Sequence, residues 1–224
     1  MTASWKFIVK NSVSIRRRGD VFEKALMSYS KKATEQPDFF IRCQSDLEDA
    51  VPRLAAEIKE KFLVPRTAKT DTEPFRERFG FGLPDDIADY INLFWHTSIY
   101  SAYDCFKQIE NGDGYYKFDE GLVLFPVLKH NGESDDDVLF QESGVFRLTE
   151  ELYEDYVEDD APNLVRKVKD YICIGWTEYS AFKILYKVST GEVYLESSMA
   201  DRVADDKPIA GSLCELIGRL YFLS

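Results

Sequence analysis

Two runs of carboxylates are the side chains of this sequence with the clearest capacity for chemistry. One run is Asp135, Asp136 and Asp137, and the other is EELYEDYVEDD at residues 150–160. Calcium loops place carboxylates at alternate positions and add a distal bidentate glutamate, a pattern that three consecutive aspartates do not match. Acid–base catalysis needs carboxylates in an apolar cleft that separates their pKa values, which a crowded and solvated run does not provide. The two runs therefore favour a charged outer surface over a metal site or a catalytic pair.

Histidine and cysteine add no recognisable active site. His96 and His130 are the two histidines, and nothing near either of them in the sequence completes a catalytic triad. The four cysteines form no CxxC pair, so we expect reduced packing residues of a cytosolic protein. We therefore predict a protein that is not an enzyme and has no catalytic residue, metal site or cofactor. A deep pocket lined by a carboxylate of raised pKa would favour an enzyme instead.

The chain carries its negative charge unevenly. Its 224 residues include 40 acidic and 28 basic ones, which give a net charge of −12. Residues 1–70 contain 14 basic and 9 acidic residues, so the rest contains 14 basic and 31 acidic ones and carries about −17. Such a field repels phosphate backbones and attracts basic surfaces, so we expect a basic protein partner and no direct contact with nucleic acid. No apolar run approaches the ~20 residues of a membrane span and no signal peptide is recognisable, so we expect a cytoplasmic location.

Hydrophobic periodicity predicts an α+β fold. Residues 183–196, KILYKVSTGEVYLE, predict a β-hairpin, because apolar residues alternate on both sides of a Ser189-Thr190-Gly191 turn. Residues 83–97 and 208–220 have apolar residues spaced for amphipathic helices. Further strands are predicted at 98–109, 122–125, 138–140, 145–148 and 171–176, and further helices at 150–160 and 163–170.

The sequence divides at residue 70 into an N-terminal extension and a single α+β domain. Residues 1–70 are basic and contain a predicted strand at 7–9 and predicted helices at 20–32 and 45–62. In the helix at 20–32, Phe22, Leu26 and Tyr29 fall on one face. Residues 64–74 are polar and predict a linker that leads into the domain at residues 71–224.

The order of these elements resembles the SUKH superfamily. The segments that carry the resemblance are LPDDIADYINLFWHT at 83–97, YICIGW at 171–176, STGEVYLE at 189–196 and PIAGSLCELIGRL at 208–220. Within the superfamily the chain is most similar to the branch that contains the SecY-interacting protein Syd, through FWHTSIY at 94–100 together with the last two segments. The resemblance covers roughly residues 75–222, and the acidic block between Asp135 and Asp160 departs from the Syd pattern. It implies a single SUKH-like α+β domain, with helices packed on one mainly antiparallel twisted sheet and an N-terminal extension, and without enzymatic activity.

The resemblance also implies two kinds of partner. Most bacterial members of the superfamily look like immunity proteins that neutralise toxins, many of them nucleases, whereas Syd-like members bind the SecY translocon subunit. A nuclease toxin domain and the cytosolic loops of SecY are both basic, so an acidic face would complement either one. Acidic residues would supply the field, and exposed aromatic residues would supply contact area. The oligomeric state stays open. The predicted contact residues are Asp135, Asp136, Asp137, Glu154, Asp155, Glu158, Asp159, Tyr100, Tyr103 and Trp176.

Overall fold

The computed structural model describes residues 20–32, 35, 63–67, 69–96, 98–101, 121–128, 144–158, 162–177 and 181–220. The helices in these ranges are α1 (residues 20–32), α2 (Glu73–Phe79), α3 (Asp85–Leu93), α4 (Val145–Glu158), α5 (Pro162–Val168) and α6 (Leu213–Arg219). The strands are β1 (Val64–Pro65), β2 (Phe94–Trp95), β3 (Ile99–Ser101), β4 (Leu122–Leu124), β5 (Tyr171–Thr177), β6 (Lys183–Lys187) and β7 (Val193–Leu195). This is the α+β class that the sequence predicts. The strands predicted at 7–9 and 138–140 and the helix predicted at 45–62 lie outside the described residues.

Five strands form the main sheet in the order β3-β4-β5-β6-β7, and every neighbouring pair is antiparallel. The register of β5 against β6 shifts between Cys173 and Gly175, which marks a β-bulge. Glycine is needed at this bulge, because a Cβ on Gly175 would collide with the carbonyl oxygen of Val123 on β4. A separate two-stranded sheet joins β1 to β2.

The predicted hairpin is confirmed, because β6 and β7 pair antiparallel across a tight turn. Gly191 has φ +78° in this turn, and its N–H donates to the carbonyl oxygen of Lys187 at 2.8 Å. Asp170, just after α5, holds the turn in place. Its carboxylate accepts the Ser189 N–H at 3.0 Å and the Ser189 hydroxyl at 2.6 Å. The hairpin is therefore fastened to the neighbouring helix layer.

Helices cover both faces of the main sheet. On one face, α1, α3 and α6 pack over strand side chains that include Ile172 and Ile184. On the other face, α4 and α5 pack over side chains that include Cys173 and Leu185. Successive residues of a strand point to opposite faces, so β5 and β6 contribute to both layers. This double burial explains why β5 has the nearly continuous apolar sequence from which it was predicted.

Helix α1 belongs to the N-terminal region and packs directly on the domain. Phe22, Leu26 and Tyr29 are buried in the same cluster as α3 and α6, which confirms the predicted helix and its apolar face. The Lys32 ammonium group donates to the carbonyl oxygens of Gly218 at 3.2 Å and Leu220 at 2.8 Å, where α6 ends. These bonds satisfy carbonyl groups that the C-terminus of a helix leaves without an intrahelical partner.

Two of the predicted helices are too long. The helix predicted at 83–97 ends at Leu93, and Phe94–Trp95 forms β2, which pairs with β1 inside the predicted linker. The helix predicted at 208–220 begins at Leu213, because the Ile209 N–H instead donates to the edge strand β7 at 2.7 Å. In both places hydrogen bonds to a neighbouring strand outweigh an apolar pattern that also suits a helix.

The strand predicted at 145–148 is wrong, because these residues form the first turn of α4. Leu148, Leu152 and Tyr156 follow one another at four-residue spacing and pack in the layer that α4 shares with α5. A stretch as short as Val145 to Leu148 does not reveal which period its apolar residues follow. The helix predicted at 150–160 is confirmed as the continuation of the same element.

Candidate functional site

The structure describes the side chains of three of the ten predicted contact residues. Glu154 and Asp155 are exposed on α4, and Trp176 is half-buried on β5. Tyr100 and Glu158 are placed by their backbone only, in β3 and at the end of α4. The other five lie outside the described residues, and they are Asp135, Asp136, Asp137, Asp159 and Tyr103.

The outer side of α4 has paired acids at its start and an uncompensated acid further along. Glu150 accepts from Arg78 of α2 at 2.8 Å and from Arg147 at 3.1 Å, and Arg147 also pairs with Glu151 at 3.1 Å. Glu154 is exposed and forms no ion pair with any other residue that the structure describes. The excess of negative charge on this helix therefore lies in its second half.

The second half of α4 borders an open groove with a volume of about 640 Å³. The groove also touches the first residue of β6, the residue that follows β7, the segment 197–202, and Leu164 of α5. We call it the hairpin groove, because two of its residues stand at the open end of the β6–β7 hairpin. Its charged and aromatic lining consists of Asp155, Tyr156, Lys183, Glu196 and Arg202.

Lys183 is the central cation of the hairpin groove. Its ammonium group pairs with the carboxylate of Asp155, and only 22% of its side chain is exposed. Burial lowers the pKa of Lys183, but the hydrogen bond to Asp155 and the charges of Glu196 and Asp155 outweigh burial and raise this pKa above its ordinary value. Lys183 is therefore a firmly charged ammonium group that pairs with Asp155 and lies in the negative field of Glu196.

Glu196 is the acid on the other side of Lys183. Its Oε2 atom accepts the backbone N–H of Lys183 at 3.2 Å. Burial raises the pKa of Glu196, and the charge of Lys183 with the hydrogen bonds from Lys183 and Tyr156 offsets only part of that increase. The sequence analysis missed Glu196 as a site residue. The available signal was that KILYK begins with a lysine and STGEVYLE ends with a glutamate, which a hairpin places on neighbouring strands.

Two predicted aromatic positions lie in a cross-strand row that leads to this groove. Tyr100 of β3 is the register partner of Val123 on β4, and Val123 is the partner of Trp176 on β5. Trp176 in turn is the partner of Lys183. The sheet thus aligns Tyr100 and Trp176 with the residue that contacts Asp155.

Further carboxylates surround the rim of the hairpin groove. Arg202 bonds to Asp201 at 3.3 Å and to Asp206 at 2.5 Å, so its charge is already engaged by two acids. We define the acidic surface as six carboxylates, with Lys183 and Arg202 as the only two cations inside this set, which leaves a net charge of −4. Its members are Glu154, Asp155, Glu196, Asp201, Asp205 and Asp206.

This arrangement is better suited to holding a cation than to transferring protons. A half-buried glutamate of raised pKa is what a general acid requires, and Glu196 meets that condition. Its carboxylate, however, is already engaged by Lys183 and Tyr156 in an open, charged groove. The hydroxyl of Ser197 accepts the Met199 N–H at 3.1 Å and bonds to the carboxylate of Asp205, so it belongs to the hydrogen-bond network of the segment that follows β7.

The part of the chain that the structure describes contains neither a metal-binding cluster nor a membrane-spanning helix. No group of three or more histidine, cysteine, aspartate or glutamate side chains there is arranged to hold a metal ion. No helix there combines the length and the apolar character that crossing a bilayer requires.

Comparison with known proteins adds no relative from which a function can be carried over. No family model matches the chain, and no curated protein matches it significantly. The geometry of the acidic surface and the hairpin groove is therefore what supports a function.

Proposed function

We propose that this chain is a non-enzymatic, cytoplasmic module that binds a basic protein partner through the acidic surface. The observation that carries the proposal is the concentration of five carboxylates and two cations around one open groove, next to Glu154, an α4 acid that has no ion pair among the described residues. A surface with a net charge of −4 attracts a basic partner and accelerates its association.

Exposed apolar side chains next to the acids give the surface contact area as well as charge. Val157 of α4 is 61% exposed, and Met199 at the groove is 53% exposed. Binding energy in protein interfaces is concentrated in a few desolvated side chains surrounded by polar ones. Val157 and Met199 are placed for that role, and Trp176 is the register partner of Lys183 on the neighbouring strand.

The partner class that we favour is a toxin domain, with this chain acting as its immunity protein. Carboxylates on the acidic surface would occupy the positions where a nuclease binds substrate phosphates and would thereby exclude nucleic acid. The resemblance to SUKH proteins supports this class. The alternative partner is the SecY translocon subunit, which the Syd-like segments 94–100 and 189–196 favour.

The test uses a charge reversal on the acidic surface and a matched reversal elsewhere. Glu154→Lys changes the surface, whereas Glu23→Lys makes the same exposed substitution on α1, in the helix layer on the opposite face of the sheet. Binding is measured by calorimetry against the toxin domain of a secreted protein encoded beside this chain and against purified SecY. We expect Glu154→Lys to weaken binding about tenfold and Glu23→Lys to change it less than about twofold.

The outcomes separate the partners and the mechanism. Binding to the toxin domain alone supports the immunity function, and binding to SecY alone supports the alternative. Equal weakening by both substitutions would show that only net charge matters, which contradicts a localised acidic surface. Absence of binding to either partner would contradict the proposed function.

A further inference from the structure

We infer that the hairpin groove is a receptor pocket for one arginine or lysine side chain of the partner, and that Lys183 occupies it as an internal stand-in. This inference rests on the proposed function and specifies where the partner is anchored. It follows from the seating of Lys183, from the size of the groove and from the balance of its charges.

The seating of Lys183 shows that the groove accepts a cationic side chain. Asp155 pairs with the ammonium group from α4, and Glu196, whose carboxylate accepts the Lys183 backbone N–H, adds a second negative charge from the end of the hairpin. One carboxylate thus binds the positive charge and another strengthens the local negative field, which is an arrangement that a basic side chain from a partner could also use. Asp155 is 53% exposed even with Lys183 in place, so its carboxylate is open to a second cation.

The groove has room for another side chain beside Lys183. Its volume of about 640 Å³ is comparable to that of pockets that hold small ligands. Leu164 and Met199 line it together with the charged groups. Long basic side chains lay their methylene stems along apolar surface while the charged head bonds to carboxylates. The mixed lining fits that kind of side chain.

The charge balance favours a cation over an anion. Asp155 and Glu196 line the groove, and Asp201, Asp205 and Asp206 surround it, whereas Lys183 and Arg202 are the cations of this set, which leaves −3. Arg202 is held by two of those aspartates, so it does not present a free charge to an anionic ligand. A guanidinium or ammonium group is therefore the chemistry that the groove selects.

Lys183 must then compete with the cation of the partner. Replacing this lysine should therefore strengthen the binding of a basic partner, whereas replacing a lysine that contacts a partner normally weakens binding. Lys183→Met removes the charge and keeps an unbranched apolar stem, so the Asp155 carboxylate becomes available to the partner and the charge of Glu196 is no longer offset by an ammonium group. We expect this variant to bind a basic probe at least about fivefold more tightly than the wild type. A lysine that only stabilised the fold, or that contacted an acid of the partner, would give no change or a loss.

The experiment measures the affinity of a capped hexa-arginine peptide by fluorescence anisotropy at pH 8. Lys183→Met should tighten binding, and Asp155→Asn and Glu196→Gln should each weaken it at least about fivefold. Glu23→Gln on α1 is the matched control for the glutamate substitution and should leave the affinity unchanged. Hexa-glutamate tests the sign of the charge and should not bind.

The inference and the proposed function fail in different ways. If Lys183→Met binds the hexa-arginine peptide with unchanged or lower affinity, Lys183 is not an internal stand-in for the partner's cation. If Glu196→Gln keeps the wild-type affinity while Glu154→Lys binds weakly, the receptor pocket is contradicted but binding through the acidic surface is not. Absence of peptide binding by the wild type contradicts both.

A second measurement does not depend on the folding of any variant. Titration of the wild type with arginine amide should shift the backbone amide resonances of Asp155, Lys183 and Glu196 more than those of Glu150 and Glu151. The reverse order would place the cation on the outer side of α4 and overturn the inference.

Discussion

Replacing Lys183 by methionine is expected to destabilise the protein in a way that depends on pH. Lys183 is 22% exposed and its partner Asp155 is 53% exposed, while Glu196 is half-buried. Loss of one partner from a fully buried ion pair costs about 3–5 kcal/mol, whereas an exposed pair contributes about 0.2–1 kcal/mol. Solvent screens much of this half-exposed site, so we expect the free energy of unfolding to fall by about 1–2 kcal/mol at pH 8.

Glu196 determines how that loss varies with pH. Because burial raises the pKa of Glu196, the native protein still binds this proton at pH values where the unfolded chain has released it. Native stability therefore falls as the pH rises from the ordinary glutamate range through the raised pKa. The charge of Lys183 lowers that pKa, so its removal enlarges the fall. At pH 5 the deficit of Lys183→Met should be less than about half of its value at pH 8.

Urea unfolding at pH 5 and pH 8 tests this reasoning in the wild type, Lys183→Met, Glu196→Gln and the double variant. With a slope of about 2 kcal/mol per molar urea, the expected deficit at pH 8 lowers the midpoint by roughly 0.5–1 M. The double variant should recover most of the loss, because glutamine removes the half-buried charge and the Asp155 carboxylate that remains is exposed to solvent. An equal loss at both pH values, or no recovery in the double variant, would show that the loss comes from the Asp155 pair or from the methylene stem of Lys183 and not from the charge of Glu196.

Further substitutions test the scaffold. Gly175→Ala should lower the free energy of unfolding by more than about 3 kcal/mol in urea denaturation, because the new Cβ would meet the Val123 carbonyl oxygen. Gly218→Ala in α6 is the control, since a Cβ there has open space and should stabilise the protein by about 0.5–1 kcal/mol; equal effects of the two substitutions would contradict the close approach at Gly175. Lys32→Met removes two hydrogen bonds to the end of α6 and should lower the free energy of unfolding by about 1–2 kcal/mol. Amide hydrogen exchange in residues 20–32 should become faster, and unchanged exchange there would show that apolar contacts alone hold α1 on the domain.

The sheet was more predictable than the ends of the helices. The hairpin follows from alternation and from a glycine at the position that has positive φ, and β5 follows from an apolar run bounded by charged residues. Helix ends depended on contacts distant in sequence. Ile209 is apolar and fits a helical stripe, but its N–H is used by β7, so the helix begins at Leu213. No local pattern contains that hydrogen bond.

The acidic character of the site was predictable, but its location was only partly so. The acidic run at 150–160 correctly indicated exposed carboxylates at Glu154 and Asp155. Periodicity shows that these residues share a helix side, but it does not show which strand that helix crosses. The hairpin groove combines residues 155, 183, 196 and 202, and only their packing brings them together. Glu196 was therefore missed, although the hairpin that positions it was predicted.

The cations around the acidic surface limit its negative charge to one side of the protein. Arg78 and Arg147 neutralise the acids at the start of α4, and Arg166 and Lys167 are exposed on α5, which contributes Leu164 to the groove. Under the proposed function, a basic partner would therefore be attracted to the second half of α4 and repelled by Arg166 and Lys167. Net charge alone would attract such a partner to any side of the protein. The alternation of charge would fix the register of the complex, which is why Glu154→Lys and Glu23→Lys should differ although both change the net charge equally.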